Sequence, residues 1–229
     1  MNLGELKSQL EILVPEFPAS DYVAEILQWF NTAQREVADK KIISDRAVAL
    51  SDTDATAYSL PGNFIDFKRR GVFVDGKKID PITLTQLVSL YGEGWKSLGR
   101  STPKYYLREG GIIEFIPDFD TNGKEIALYY WAYPNDLSAN DDLPFTTGNP
   151  TDGYGYHNHL RNFDELLLEY AVSMAKFTLG FYSTTQQALT NFYSLLNSKV
   201  AEIKKREDLY VDNIQPDPYL LKKKQQRGG

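Results

Sequence analysis

The chain of 229 residues has no cysteine, two histidines and no apolar run long enough to cross a bilayer. Without cysteine there are no disulfides and no thiolate metal sites, and two histidines leave few ligands for structural zinc. Stability must therefore come from burial and from neighbouring chains. The most apolar long segment, residues 166–181, is interrupted by Glu169 and Lys176, so it reads as a core helix, not a membrane span. No basic cluster precedes an apolar run at the N-terminus, so no secretory signal is read and the protein is expected to stay where it is made. Lysine and arginine number 25 against 31 aspartate and glutamate, a formal charge of −6, which argues against coating duplex DNA over the whole surface. Any DNA contact must be local. At 42% hydrophobic and 13% aromatic, the chain can bury one sizeable core or two small ones.

Helical periodicity opens the chain. Asn2 and Glu5 form a capping-box pattern ahead of Leu3, Leu6, Leu10 and Leu13. Ser20 and Asp21 precede a second stripe of Tyr22, Val23, Ile26, Leu27, Phe30, Ala33 and Val37, running to about Lys41. The two helices are expected to pair as a hairpin over residues 1–41 and to pack on a C-terminal helical pair at 162–207. Between them, residues 42–133 carry short alternating segments at 57–60, 67–74, 77–79, 104–107, 112–116 and 125–133. Asp75-Gly76 tolerates the positive φ angles of a type I′ hairpin turn, and Glu109-Gly110-Gly111 and the loop 118–123 supply two further turns. Residues 84–91 suit a short helix. The expected fold is α+β: a bundle of four main helices with an inserted antiparallel β-meander and an extended C-terminal tail.

Residues 134–161 form a long polar loop, the kind that is either functional or held by a partner. Asn162 with Glu165, and Thr184 with Gln187, repeat the capping-box pattern at the starts of two further helices. The last stripe, Ala188, Phe192, Leu195, Leu196, Val200 and Ile203, ends in Lys204, Lys205 and Arg206, charges that suit a helix C-terminus. After Asp208 the pattern stops. Residues 208–229 contain Pro216, Pro218 and the run Lys222, Lys223 and Lys224, with too few apolar residues to fold alone. This tail is expected to dock on another chain through Tyr210, Ile214, Pro216, Pro218, Tyr219, Leu220 and Leu221, with the three lysines beside them.

Chemical motifs are few. Asp118, Asp120 and Asn122 with Gly123 match the first half of a calcium loop, but Tyr129 stands where a bidentate glutamate is required, so a polar turn is the better reading. His157-Asn158-His159 spells a nuclease name whose real residues are scattered over a fold, and it carries no weight. Gly92-Glu-Gly94 lacks the third glycine of a dinucleotide loop, and Arg227-Gly228-Gly229 follows no ubiquitin-like order of elements. No catalytic triad, cysteine nucleophile or redox motif is present; the acid pairs Asp141 with Asp142 and Glu165 with Glu169 read as solvated. No metal and no cofactor is expected, and no enzyme activity.

Residues 125–133 are unusual in being apolar on both faces. Ile126, Leu128, Tyr130 and Ala132 share one face, and Ala127, Tyr129, Trp131 and Tyr133 the other. The strand is either covered twice within the monomer or presents Tyr129, Trp131 and Tyr133 to another subunit; aromatic enrichment of interface cores favours the latter.

The order of these pieces resembles the tailed-phage head-to-tail connector family, the portal adaptors and ring proteins. The likeness is carried by Ile26-Leu-Gln-Trp-Phe-Asn-Thr-Ala-Gln-Arg-Glu-Val-Ala38, Tyr58-Ser-Leu-Pro-Gly-Asn-Phe64, Pro103-Lys-Tyr-Tyr-Leu107, Ile113-Glu-Phe-Ile-Pro117 and Leu128-Tyr-Tyr-Trp-Ala-Tyr-Pro134. Leu137-Ser138 with the acidic stretch after it, and the Tyr170-Ala171 helix with its partner, complete it. The resemblance implies a structural virion protein at the neck, assembled in the bacterial host cytoplasm. It implies a ring of twelve copies bound to the portal protein above and to the next tail or ring protein below. Genomic DNA would pass through its channel without sequence-specific binding, and a crAss-like gut phage is the implied source. Two other classes remain open from the residues: a virion-associated cell-wall hydrolase and a local DNA-binding module reading duplex through Lys222, Lys223 and Lys224.

Overall fold

In a computed structural model, residues 1–50, 57–118, 124–148 and 157–212 are described. Two compact units emerge, one of residues 1–4 with 34–162, the other of residues 5–33 with those from Phe163 on.

The first unit is built on a seven-stranded sheet. Its strands are β1 (Ser44–Leu50), β2 (Ala57–Ser59), β3 (Phe64–Val74), β4 (Lys77–Pro81), β5 (Tyr105–Glu109), β6 (Ile112–Ile116) and β7 (Glu125–Ala132), in the spatial order β1-β7-β3-β4-β5-β6-β2. The expected helical bundle with a small inserted meander is therefore wrong: the fold is mixed α/β, with five α-helices and a large curled sheet among the described residues. Two facts overturn the meander. The last strand, β7, is inserted between β1 and β3, antiparallel to both, and β4 runs parallel to β5. The reason lies in burial. Curling brings Phe67 of β3 to 5.2 Å from Tyr106 of β5, and Phe64 to 5.5 Å from Tyr130 of β7. Val72, Val74, Ile79, Ile113, Phe115 and Leu128 close the same core. The sheet thus supplies its own apolar interior.

Local chemistry explains the turns. Asp75 and Gly76 adopt φ of 47° and 73°, closing the β3–β4 hairpin in the register Val74 with Lys77, as a type I′ turn requires. A bulge shifts β3 between Phe67 and Gly71, and Gly71 takes φ +65°, where a Cβ would be strained. The helix α3 (Leu84–Tyr91) starts with a capping box in which Gln86 N–H donates to Thr83 Oγ1 at 3.3 Å and Thr83 N–H to Gln86 Oε1 at 3.0 Å. Its Leu87 joins Ile82, Leu107 and Ile116 in a second apolar cluster.

Most of the long polar segment 134–148 is held by its own chain. The Asp142 carboxylate accepts from Ser138 N–H at 2.6 Å and Ala139 N–H at 2.8 Å. Asn135 N–H donates to Thr146 O, and buried Gln34 bridges Asn135 O and Phe145 N–H. Leu137, Phe145 and Thr147 are buried. The two main-chain donors keep the Asp142 carboxyl below its ordinary 3.8. Its contribution to stability is therefore present above that value and lost as pH falls through the lowered folded-state pKa. Asp142→Ala is expected to lower the melting temperature at pH 7 and to flatten the fall in stability between pH 5 and 2 (roughly the range over which a depressed carboxyl is titrated), read by thermal unfolding across that range.

The second unit takes most of α1 (Leu3–Leu13) and α2 (Val23–Ala38), whose stripes are buried in their middles: Leu6, Leu10, Ile26 and Phe30 are at most 3% exposed, whereas Leu13 and Val23, expected on the same stripes, are each 53% exposed. The chain then returns as α4 (Asp164–Thr178) and α5 (Tyr182–Asp212), which pack together through Tyr170 and Phe192, their rings 5.3 Å apart. The two C-terminal capping boxes do not form as expected. The N-cap of α4 is Phe163, and Thr184 Oγ1 donates back to Phe181 O at 2.8 Å. The helix α5 also runs past Lys204, Lys205 and Arg206 to Asp212.

Candidate functional site

The strand β7 sits between β1 and β3, so its two faces meet different surroundings. Ile126, Leu128, Tyr130 and Ala132 are buried in the sheet core. The Tyr130 hydroxyl lies 3.1 Å from Asn63 Oδ1 and 3.4 Å from Asp45 Oδ2, and burial together with the Asp45 charge pushes its pKa far up, so it stays protonated. The opposite face carries Tyr129, Trp131 and Tyr133, all half-buried. Arg46 lies 5.5 Å above the Tyr129 ring, Phe73 packs edge-on against it at 5.5 Å, and Lys68 stands 4.3 Å over Trp131. Tyr133 OH donates to Asp39 Oδ1 at 2.8 Å. Residues of the same unit thus flank all three rings and leave part of each accessible.

Apolar exposure recurs where α4 turns into α5. Phe177 and Phe181 are each 49% exposed and Tyr182 is 64% exposed, with the Phe177 and Tyr182 rings 5.2 Å apart. Among the described side chains of α5 the buried positions are Thr185, Phe192, Leu196 and Val200. Lys199 pairs with Glu165 at 3.1 Å, which sets the start of α4 opposite this point. From Ala201 to Arg206 no side chain of α5 is fully buried. At about 1.5 Å per residue, a 31-residue helix far outruns its 15-residue partner.

Of the expected docking residues, Tyr210 falls in the last turn of α5, and Ile214, Pro216, Pro218, Tyr219, Leu220, Leu221, Lys222, Lys223 and Lys224 lie outside the described residues. Asp120 and Asn122 of the half calcium loop also lie outside them, while Asp118 pairs with Arg100 at 3.4 Å. His157 Nε2 is 3.1 Å from Thr147 Oγ1. Among the described residues no three His, Asp or Glu side chains are grouped to hold a metal ion, and no helix is long and apolar enough to cross a membrane.

Sequence reasoning missed β1. Asp45 and Arg46 break its apolar alternation, and its pairing partner β7 is 75 or more residues away, beyond any local pattern.

Partly covered aromatics on a sheet face and exposed rings at a helical turn are features of proteins that assemble. The comparison with known families gives the class: a structural adaptor of phages. The model of the SU10 adaptor protein family matches residues 1–216, and the chain belongs to that family. Membership implies interaction with other virion proteins such as portal or tail. No curated protein matches the chain.

Proposed function

We propose that this adaptor forms a ring of twelve copies that joins the portal to the next tail or ring protein and lets genomic DNA pass through its middle. The observation that carries this reading is the family match over residues 1–216. The half-covered rings of Tyr129, Trp131 and Tyr133 and the exposed Phe177, Phe181 and Tyr182 are surfaces that neighbours would bury. A closed ring needs two different, mutually complementary patches on each copy, and these surfaces lie in separate units of the chain. The overall charge of −6 suits a passage that DNA must slide through without adhering. The tail beyond α5 is the segment we assign to the portal or to the adjacent subunit, and a crAss-like phage is the source to which the resemblance points.

Native mass measurement of the purified protein, alone and mixed with portal, tests the proposal. Twelve 26.1 kDa chains per portal ring are expected. A protein that stays monomeric in the presence of portal sinks the ring.

A further inference from the structure

The strand β4 changes partners along its length. Lys77, Lys78 and Ile79 ladder with β3, whereas Asp80 and Pro81 pair with Tyr105 and Tyr106 of β5. Where β4 and the chain entering β5 diverge, a cleft of about 400 Å³ opens within the first unit. Among the described residues its lining includes the buried Val74 and Ile79 and three cations, Lys77, Arg100 and Lys124, against one carboxylate, Asp75. Lys124 is 2.9 Å from Asp75, and Arg100 is 3.4 Å from Asp118 outside the lining. With Asp118 counted beside Asp75, the three described cations exceed the two described carboxylates by one, so on a chain of net charge −6 this is a concave site of slight positive excess with apolar residues in its lining. It also has a strand edge. Asp80 N–H donates to Lys104 O at 3.3 Å, so the period-two alternation of β4 turns the main-chain N–H and C=O of Lys78 to the same side, toward the opening.

We propose that this cleft is the docking site for an extended, acidic peptide segment of another virion protein, an inference that rests on the adaptor reading above. A peptide laid along β4 would take main-chain hydrogen bonds from the strand edge. Its carboxylates would meet Lys77, Arg100 and Lys124, and its alternate apolar side chains would meet Val74 and Ile79. The charge complementarity selects acidic over basic segments. The apolar lining residues and the small volume favour a peptide over a nucleic-acid backbone, which needs cations spaced along a longer groove.

The test uses the full chain and anisotropy of fluorescein-labelled probes: a six-residue peptide alternating glutamate and valine, its lysine and valine counterpart, and a single-stranded oligonucleotide. The acidic peptide is expected to bind, more weakly at high salt, and the basic one not to bind. Lys77→Glu combined with Lys124→Glu is expected to weaken binding at least about tenfold, while Lys204→Glu on α5 changes nothing. Circular dichroism checks folding, and Lys77→Gln alone, expected to weaken binding in the same direction, replaces the pair if the double reversal unfolds. Equal binding of the two peptides, or unchanged affinity in the charge-altered chains, overturns the proposal. So does an oligonucleotide that displaces the peptide in a Lys77-dependent way, which would assign the cleft to phosphate. A chain that joins portal normally yet ignores the acidic peptide refutes the cleft alone; one that binds the peptide yet never joins portal refutes the ring alone.

Discussion

Removal of residues 210–229 is expected to leave a folded chain that no longer joins the portal. The described cores are built from residues ahead of this segment: the sheet cluster runs in sequence to Tyr130 and Ala132, and among the described side chains of α5 the last buried position is Val200. The circular dichroism spectrum and melting temperature of the truncated chain should therefore match those of the whole protein closely. Docking is another matter. The segment carries Tyr219, Leu220 and Leu221 between Pro218 and three lysines, a composition that gains little by collapsing on itself and much by covering a partner. Co-sedimentation with portal, full length against truncated, reads the effect: retention near the full-length level refutes tail docking, and loss with an unchanged melting curve supports it.

The second large effect is expected inside the second unit. Phe192 is fully buried on α5, its ring 5.3 Å from Tyr170 of α4 and 5.0 Å from Tyr193. Phe192→Ala removes that ring from the seam of the helical pair and leaves a cavity that two well-packed helices can close only in part. The cost is expected to be about 3–5 kcal/mol. Chemical denaturation should show the loss as a lower midpoint. A loss under about 1 kcal/mol would mean that α4 and α5 do not depend on this contact. By contrast Tyr193→Ala, at a position 40% exposed, should cost far less.

How much of this was legible in advance differs from element to element. The helices α1 and α2 and the Asp75-Gly76 turn are local patterns, and each appears close to where periodicity or turn chemistry places it, although Leu13 and Val23 at the ends of the expected stripes are exposed. The two faces of β7 were also readable, because alternation alone separates Tyr130 from Tyr129 and Trp131. Whether the second face is open was not readable. Arg46, Lys68 and Phe73, which flank it, come from strands whose register no local pattern records. The cleft beside β4 was invisible for the same reason: Lys77, Arg100 and Lys124 are far apart in sequence, and the β3–β7 pairing sets Lys124 beside Asp75 while the β4–β5 pairing brings the chain entering β5 alongside.

From the amino-acid order alone came the absence of thiol chemistry, the helical stripes, the hairpin turn, the acidic balance and the likeness to phage connectors, since each depends on composition or on residues a few positions apart. Tertiary structure alone decided that β7 lies between β1 and β3, that the sheet curls to make its own core, and that α5 outlasts its partner helix. Those outcomes depend on which distant surfaces bury the most apolar area together, a competition among many pairings that the same alternating patterns would satisfy equally well one strand at a time.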